Sequence, residues 1–158
     1  MTTTVTRYWA QFVASLPQEA AKPPQYVESF FFGTQPEGAR EIAALVLAGT
    51  KTATGSVLWA YEADGKPLPQ VGDYWIVTGG GDDPVCIIQT MEVRLIPFDE
   101  VGEEYARDGG EGDRSLRSWR TMYWDYLSSE CVRIGREPSE QAPLVMERFT
   151  VVYAEALR

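Results

Sequence analysis

Apolar residues recur at helical spacing, three or four positions apart, in two stretches of the chain. These stretches predict amphipathic helices at about residues 5–15 and 37–48. Thr4 is a candidate N-cap for the first helix. Pro36 suits the first turn of the second helix, and Gly49 suits its left-handed C-cap. We therefore expect the N-terminal third of the chain to contribute two helices.

Strand-like patterns dominate the middle and the end of the chain. Residues 74–78, 85–98 and 145–155 are rich in β-branched and aromatic residues and predict three strands. The turn at 79–84 contains three glycines, so the first two of these strands are expected to form a hairpin. Because no helix and no GK[ST] sequence follow it, this turn does not fit a phosphate-binding loop. A short strand or an extended segment is also expected within residues 17–35.

Two further helices complete the prediction. A short acidic helix is expected at 99–107, and a longer one at about 114–130 with Asp113 as its cap. The sum is an α+β chain with five or six mostly antiparallel strands and three main helices, which fits a small β-barrel covered by helices. We expect one domain over residues 1–158, with an N-terminal helical extension over about residues 1–25.

The amino-acid composition excludes several common kinds of catalytic site. The chain of 158 residues has no histidine, and its two cysteines suggest no metal motif, so histidine-dependent triads and the usual catalytic zinc sites are excluded. A hard cation held by carboxylates stays open, but we expect no metal and no cofactor. Cys86 and Cys131 are expected to be reduced core residues.

The net charge is −9, which disfavours tight nonspecific binding to long nucleic acids. A local basic cleft or a small neutral ligand such as a nucleoside remains compatible with it. No apolar run approaches the ~20 residues of a membrane span, and the first residues lack the layout of a signal peptide. We therefore expect a cytoplasmic protein without membrane contact, and the oligomeric state stays open.

The stretch LAGTKTATGS at residues 47–56 is the first candidate for catalysis. It places Lys51 close to several hydroxyls, among them Thr54, and a lysine beside a hydroxyl is one way to activate a nucleophile without histidine. The lysine would have to be neutral to act as a base, which burial favours. In a regular strand the two side chains would point to opposite faces, so a shared pocket requires an irregular chain near residues 49–52. The alternative is a solvent-exposed Lys51 that follows a helix C-cap.

The loop sequence GGEGD gives a second candidate, Glu111. Glycines on both sides allow the backbone to approach a ligand closely, and the alternative is a solvated loop carboxylate. A third group consists of aromatic residues that could stack a base but are also typical core residues: Trp59, Tyr61, Trp119, Tyr123 and Trp124.

These motifs resemble a known family. LAGTKTATGS resembles the GxKxxTxS-type signature of ASCH domains (activating signal cointegrator homology), and EEYARDGGEGDRSLRSWRTMYWDYL resembles the long bacterial form. VGDYWIV and the terminal FTVVY agree with it, so that the resemblance covers roughly residues 26–155. The family is similar in fold to PUA domains, a β-barrel flanked by helices. Its members are linked to RNA: small bacterial members hydrolyse the amide of N4-acetylcytidine, and others cleave single-stranded RNA with magnesium.

The resemblance implies a catalytic set of Lys51, Thr54 and Glu111, although the loop before Glu111 is longer here than in the minimal enzymes. In the implied mechanism Thr54 attacks the acyl carbonyl, Lys51 acts as base, and Lys51 or Glu111 protonates the leaving nitrogen. Expected substrate contacts are Ser56, Trp59, Tyr61, Asp113, Arg114, Trp119 and Tyr123.

Three functions follow from this resemblance. The leading hypothesis is an amidohydrolase that removes acyl groups from the N4 amide of cytidine-type nucleosides, because the acidic charge favours a free nucleoside over a polymer. The alternatives are a magnesium-dependent ribonuclease that acts on single-stranded RNA and a noncatalytic RNA-binding module.

Overall fold

The computed structural model describes residues 3–17 and 23–154. Within these ranges, five α-helices and a short 3-10 helix surround a five-stranded sheet. The helices are α1 (Thr4–Ser15), α2 (Pro36–Leu47), α3 (Leu58–Asp64), α4 (Glu103–Gly109) and α5 (Leu116–Ile134), and the 3-10 helix is Phe98–Glu100. The strands are β1 (Tyr26–Phe30), β2 (Ala53–Val57), β3 (Tyr74–Thr78), β4 (Pro84–Pro97) and β5 (Pro143–Tyr153). None of the helices in this part of the chain is long and apolar enough to cross a bilayer.

The strand order of the sheet is β1-β3-β4-β5-β2. The pair of β1 and β3 is parallel and the other pairs are antiparallel, which confirms the predicted α+β class and the mostly antiparallel pairing. The predicted closure into a barrel is wrong, because closure requires the two edge strands to pair. In this sheet β1 and β2 are separate edges of five residues each, and residues of both line a cavity instead.

The strongly periodic elements agree with their predictions. Helices α1 and α2 lie within one residue of the predicted bounds, although Thr3 rather than Thr4 caps α1 by accepting the Thr6 N–H. Strand β3 is confirmed as predicted, while β4 and β5 each begin and end one or two residues earlier than expected. The predicted end of the last strand, Glu155, lies outside the described residues.

The helix count was underestimated. No helix was predicted where α3 lies, because its seven residues are too few for a clear periodic pattern. The predicted acidic helix at 99–107 is divided into the 3-10 helix and α4, with Gly102 as the N-cap of α4. There are thus five α-helices in the described ranges, where three main helices and one short helix were predicted.

Helix α5 begins and ends later than predicted. Ser115 caps it by accepting the Ser118 N–H, whereas Asp113 accepts the N–H of Ser115 in the preceding turn at 2.9 Å. Arg114 has a φ of 66°, so it cannot belong to the helix. At the other end the helix continues to Ile134 and stops at Gly135 in the left-handed conformation.

Helices cover the sheet from both sides. Ile76 and Val77 are successive residues of β3 and therefore point to opposite faces; Ile76 packs with α1 and Val77 packs with α2. A further core joins α3, α4 and α5 to β2 and β5. Cys86 and Cys131 are buried and free, as expected.

Candidate active site

A cavity of about 550 Å³ lies between the edge strands β1 and β2 and extends to α3 and α5. This volume is within the range of about 300–1,000 Å³ that small-molecule sites occupy. Eight aromatic side chains contribute to its wall. Four acidic side chains lie in the wall: Glu28, Glu111, Asp125 and Glu147. Among the described residues, no lysine or arginine lines this cavity.

Thr54 reaches the cavity from β2. Residues of this strand alternate between the two faces, so that Ala53 and Val57 are buried in the core while Thr54 and Ser56 line the cavity. Within the part of the chain that the structure describes, the Thr54 hydroxyl has no hydrogen-bond partner. A hydroxyl in this situation is available to a ligand.

The chain before β2 is irregular, as a shared site of Lys51 and Thr54 requires. Gly49 has a φ of +76°, and the N–H groups of Thr50 and Lys51 both donate to the carbonyl of Leu45, at 3.0 and 3.1 Å. This turn breaks the alternation of side chains before the strand begins. The side chain of Lys51 is thereby directed inward.

Lys51 is one of the most deeply buried side chains, with an exposed fraction of 1%. Its Nζ donates to the carbonyls of Ala53 and Gly109, each at 3.1 Å, and to Oε2 of Glu111 at 3.0 Å. The alternative of a solvent-exposed lysine is therefore wrong. Because two carbonyls and a carboxylate can only accept, the three contacts use all three N–H groups of an ammonium. Lys51 itself does not line the cavity, but Glu111 does.

The loop that carries Glu111 is bound to the entrance of β2. The Thr52 N–H donates to the carbonyl of Asp108 at 2.8 Å, in addition to the contacts of Lys51. Gly110 has a φ of +74°, and a Cβ there would lie 2.8 Å from the Cα and N of Lys51. The glycines were expected to allow close approach to a ligand. At Gly110 the close approach is to the backbone of Lys51, and this contact places Glu111 at the cavity.

Glu147 on β5 is a site residue that sequence reasoning missed. Only 8% of it is exposed, and its Oε1 accepts a hydrogen bond from Oγ1 of Thr90 at 3.3 Å. Thr90 Oγ1 in turn accepts one from Nε1 of Trp75 at 2.9 Å. Burial raises the pKa of Glu147 to about 7; the nearby Asp73 also raises it, whereas the Thr90 hydrogen bond lowers it.

Glu147 and Thr54 are direct partners in the antiparallel pair of β2 and β5. Directly opposite residues lie on the same face with their Cβ atoms about 5 Å apart. In the sequence, Glu147 occupies a polar position in a pattern typical of a half-exposed strand. The available signal was a carboxylate between Met146 and Arg148, and it does not distinguish a buried position from an exposed one.

Three of the predicted substrate contacts do line the cavity, namely Ser56, Tyr61 and Tyr123. The Tyr123 hydroxyl accepts the N–H of Gly55 at 3.1 Å, which fixes α5 against β2. Burial raises the pKa of Tyr61, so its hydroxyl remains protonated at neutral pH.

The other four predicted contacts lie elsewhere. Trp119 is 3% exposed and stacks on Tyr123 in the core, with 4.3 Å between ring centroids. The guanidinium of Arg136 covers the ring of Trp59 at 3.7 Å. Two further predicted contacts, Asp113 and Arg114, belong to the turn before α5.

Several aromatic residues that the prediction did not assign to the site are found in the cavity wall: Phe30, Phe31, Phe32, Trp75, Tyr126 and Phe149. Within residues 3–17 and 23–154, no group of three or more carboxylates, thiols or imidazoles is arranged to hold a metal ion.

Comparisons with known proteins agree with this architecture. Residues 28–153 match the family profile described as the ASCH domain. An ASCH domain of known structure from Lactobacillus crispatus JV V101 is 32% identical, with a TM-score of 0.89 and coverage of 94% of each chain. Protein EF3133 from Enterococcus faecalis V583 is 28% identical, with a TM-score of 0.82 and coverage of 94% of this chain and 87% of the other. No curated protein matches the sequence. Because the profile covers most of the chain, the chain belongs to the ASCH domain family.

Proposed function

We propose that this protein hydrolyses the N4 amide of N4-acylcytidine-type nucleosides, with Thr54 as the nucleophile. The observation that supports this best is the position of Thr54, whose hydroxyl is available in a cavity walled by aromatic rings and carboxyl groups. An acyl group transferred to this hydroxyl would then be released by water. The products are cytidine and a carboxylic acid.

The wall of the cavity favours an uncharged planar ligand. Aromatic side chains offer stacking surfaces for a base, and Trp75 and Tyr126 are two of the eight that line the cavity. Four carboxyl groups without a lysine or arginine in the described wall would repel a phosphate. A free nucleoside therefore suits this cavity better than the backbone of RNA.

The hydrogen bonds of Lys51 suggest a role other than the predicted base. A general base needs a free lone pair, and an ammonium that donates to three acceptors has none. In our proposal Lys51 stays charged and holds the Glu111 carboxylate at the cavity. Glu111 then accepts a hydrogen bond from the N–H of the substrate amide and orients it towards Thr54.

The test is to incubate the protein with N4-acetylcytidine, with and without EDTA, and to measure cytidine and acetate by chromatography. We expect release that is unaffected by EDTA. Thr54→Ala should lower kcat by about 10³-fold or more, because the nucleophile is removed. Thr52→Ala is a matched control, since Thr52 lies two residues earlier and does not line the cavity.

Two results would contradict the proposal. One is full activity of Thr54→Ala, which would exclude this residue as the nucleophile. The other is the absence of hydrolysis by the unaltered protein. In that case cleavage of single-stranded RNA that EDTA abolishes would indicate a ribonuclease, and salt-sensitive RNA binding without product would indicate a binding module.

A further inference from the structure

We infer that Glu147 is the general base that takes the proton of Thr54 and returns it to the leaving nitrogen. This inference rests on the function proposed above, to which it adds a catalytic residue outside the predicted set of Lys51, Thr54 and Glu111. Four features of the site support it. They are the register of β2 and β5, the ion pair that engages Lys51 and Glu111, the hydrogen bond that holds the carboxyl group of Glu147, and the burial of that group.

The strand register places the two side chains together. Thr54 and Glu147 face each other across the ladder of β2 and β5, and both line the cavity. At a Cβ separation of about 5 Å, Glu147 and Thr54 are close neighbours on one face of the sheet. No hydrogen bond joins them in the described residues, so proton transfer needs a small shift of the side chains but no rearrangement of the backbone.

Two other ionisable groups near Thr54, Lys51 and Glu111, are already engaged with each other. Lys51 donates its three N–H groups to three acceptors, one of which is Oε2 of Glu111 at 3.0 Å. Glu111 therefore forms an ion pair on a loop, whereas Glu147 lies on the strand beside Thr54 and has no ion pair in the described residues. The position of Glu147 is the better one for proton transfer.

A chain of hydrogen bonds fixes the carboxyl group of Glu147. Trp75 Nε1 donates to Thr90 Oγ1, which leaves the Thr90 proton for Oε1 of Glu147. Oε2 accepts no hydrogen bond from the described residues. One oxygen is thus held by the protein, and the other is free for the proton of Thr54.

Burial allows Glu147 to exist in both protonation states near neutral pH. Its pKa is raised to about 7 mainly by burial, and the charged group that faces it is Asp73, just before β3. The Tyr61 hydroxyl faces it from α3, and the hydroxyls of Thr54 and Thr90 face it from β2 and β4. A group with a pKa close to the working pH serves well as both base and acid.

The carboxyl group of Glu147 can accept and donate every proton that the proposed reaction transfers. The carboxylate accepts the proton as the Thr54 oxygen bonds to the acyl carbon, and the resulting acid donates it to N4 as the C–N bond breaks. Water then attacks the acyl-threonine and gives its proton to the carboxylate. When the C–O bond to Thr54 breaks, that proton returns to the threonine oxygen and the acid is released.

The experiment uses an activated ester, 4-nitrophenyl acetate, whose leaving group needs no acid. Peptide mass spectrometry of quenched samples measures the rate at which Thr54 is acetylated. In the unaltered protein this rate should rise about tenfold between about pH 6 and about pH 8, following the ionised fraction of Glu147. Glu147→Gln should lower it at least about 100-fold and remove the pH dependence. Glu62→Gln, which changes an exposed carboxyl on α3 that does not line the cavity, is the matched control.

The two proposals fail separately. Acetylation of Thr54 in Glu147→Gln at the unaltered rate, or its absence from the unaltered protein, would overturn this inference even if N4-acetylcytidine is hydrolysed. Glu147-dependent acetylation without hydrolysis of N4-acetylcytidine would support the inference and reject the substrate. The Tm of Glu147→Gln is the control for folding. If it equals or exceeds the Tm of the unaltered protein, a lower rate of acetylation is not caused by unfolding.

Discussion

Glu147→Gln should make the protein more stable at alkaline pH, although it removes a group that we assign to catalysis. Only 8% of Glu147 is exposed, and burial raises its pKa from the usual 4.5 to about 7. The folded protein therefore favours the uncharged acid, and ionisation at higher pH leaves a charge in a largely dry site. Glutamine has a similar shape, can still accept the Thr90 hydrogen bond and never ionises.

The magnitude follows from the two pKa values. Between about pH 4.5 and about pH 7 the folded state binds the proton while the unfolded state releases it, so the free energy of unfolding falls as the pH rises. Above pH 7 the loss is complete. A difference of about 2.5 pH units at 1.36 kcal/mol each gives about 3 kcal/mol. Glu147→Gln should regain this amount at about pH 8 and almost nothing at about pH 4.

Urea denaturation of both proteins at several pH values measures this difference directly. For a chain of this length, about 3 kcal/mol corresponds to a rise of about 10 °C in Tm. Glu28→Gln provides the control, because that carboxyl is exposed and should leave the pH dependence unchanged. Parallel stability curves for the unaltered protein and Glu147→Gln from acid to alkaline pH would refute the reasoning, since they would show that Glu147 is not held protonated by burial.

Two further predictions concern the contacts that shape the site. Lys51→Met should lower the free energy of unfolding in urea by about 3 kcal/mol, because it leaves Glu111 unpaired and two backbone carbonyls without donors; an unchanged midpoint would show that these contacts add no net stability. Tyr123→Phe should cost about 1 kcal/mol in the same assay, since the Gly55 N–H loses its acceptor while the ring remains; a gain in stability would contradict this account.

The predicted elements show where local rules suffice. Helix α2 and the hairpin of β3 and β4 follow from periodicity, a proline at the helix start and a glycine-rich turn. These signals act between neighbouring residues and need no partner from the rest of the chain. Helix α3 was missed because packing rather than a long periodic pattern stabilises its seven residues.

The candidate site also contains some residues that the sequence identified and others that only the packing determined. The sequence identified Thr54 and Glu111 as candidates from residue type and spacing, and both line the cavity. It also attributed base stacking to Trp119, a residue that the fold buries against Tyr123. An aromatic residue in a helix gives the same local signal in a core and in a cavity wall, so only the packing distinguishes the two.

The sequence by itself determined the α+β class, the mostly antiparallel pairing and a lysine followed by hydroxyls at a strand entrance. Only the tertiary structure decided that the Nζ of Lys51 contacts three acceptors and that Glu147 is a buried neighbour of Thr54. Two of the three partners of Lys51 lie 58 and 60 positions away, and Thr90 lies 57 positions from Glu147. Burial and hydrogen bonding depend on such distant contacts, and these two properties set the protonation state of a side chain and therefore its chemistry.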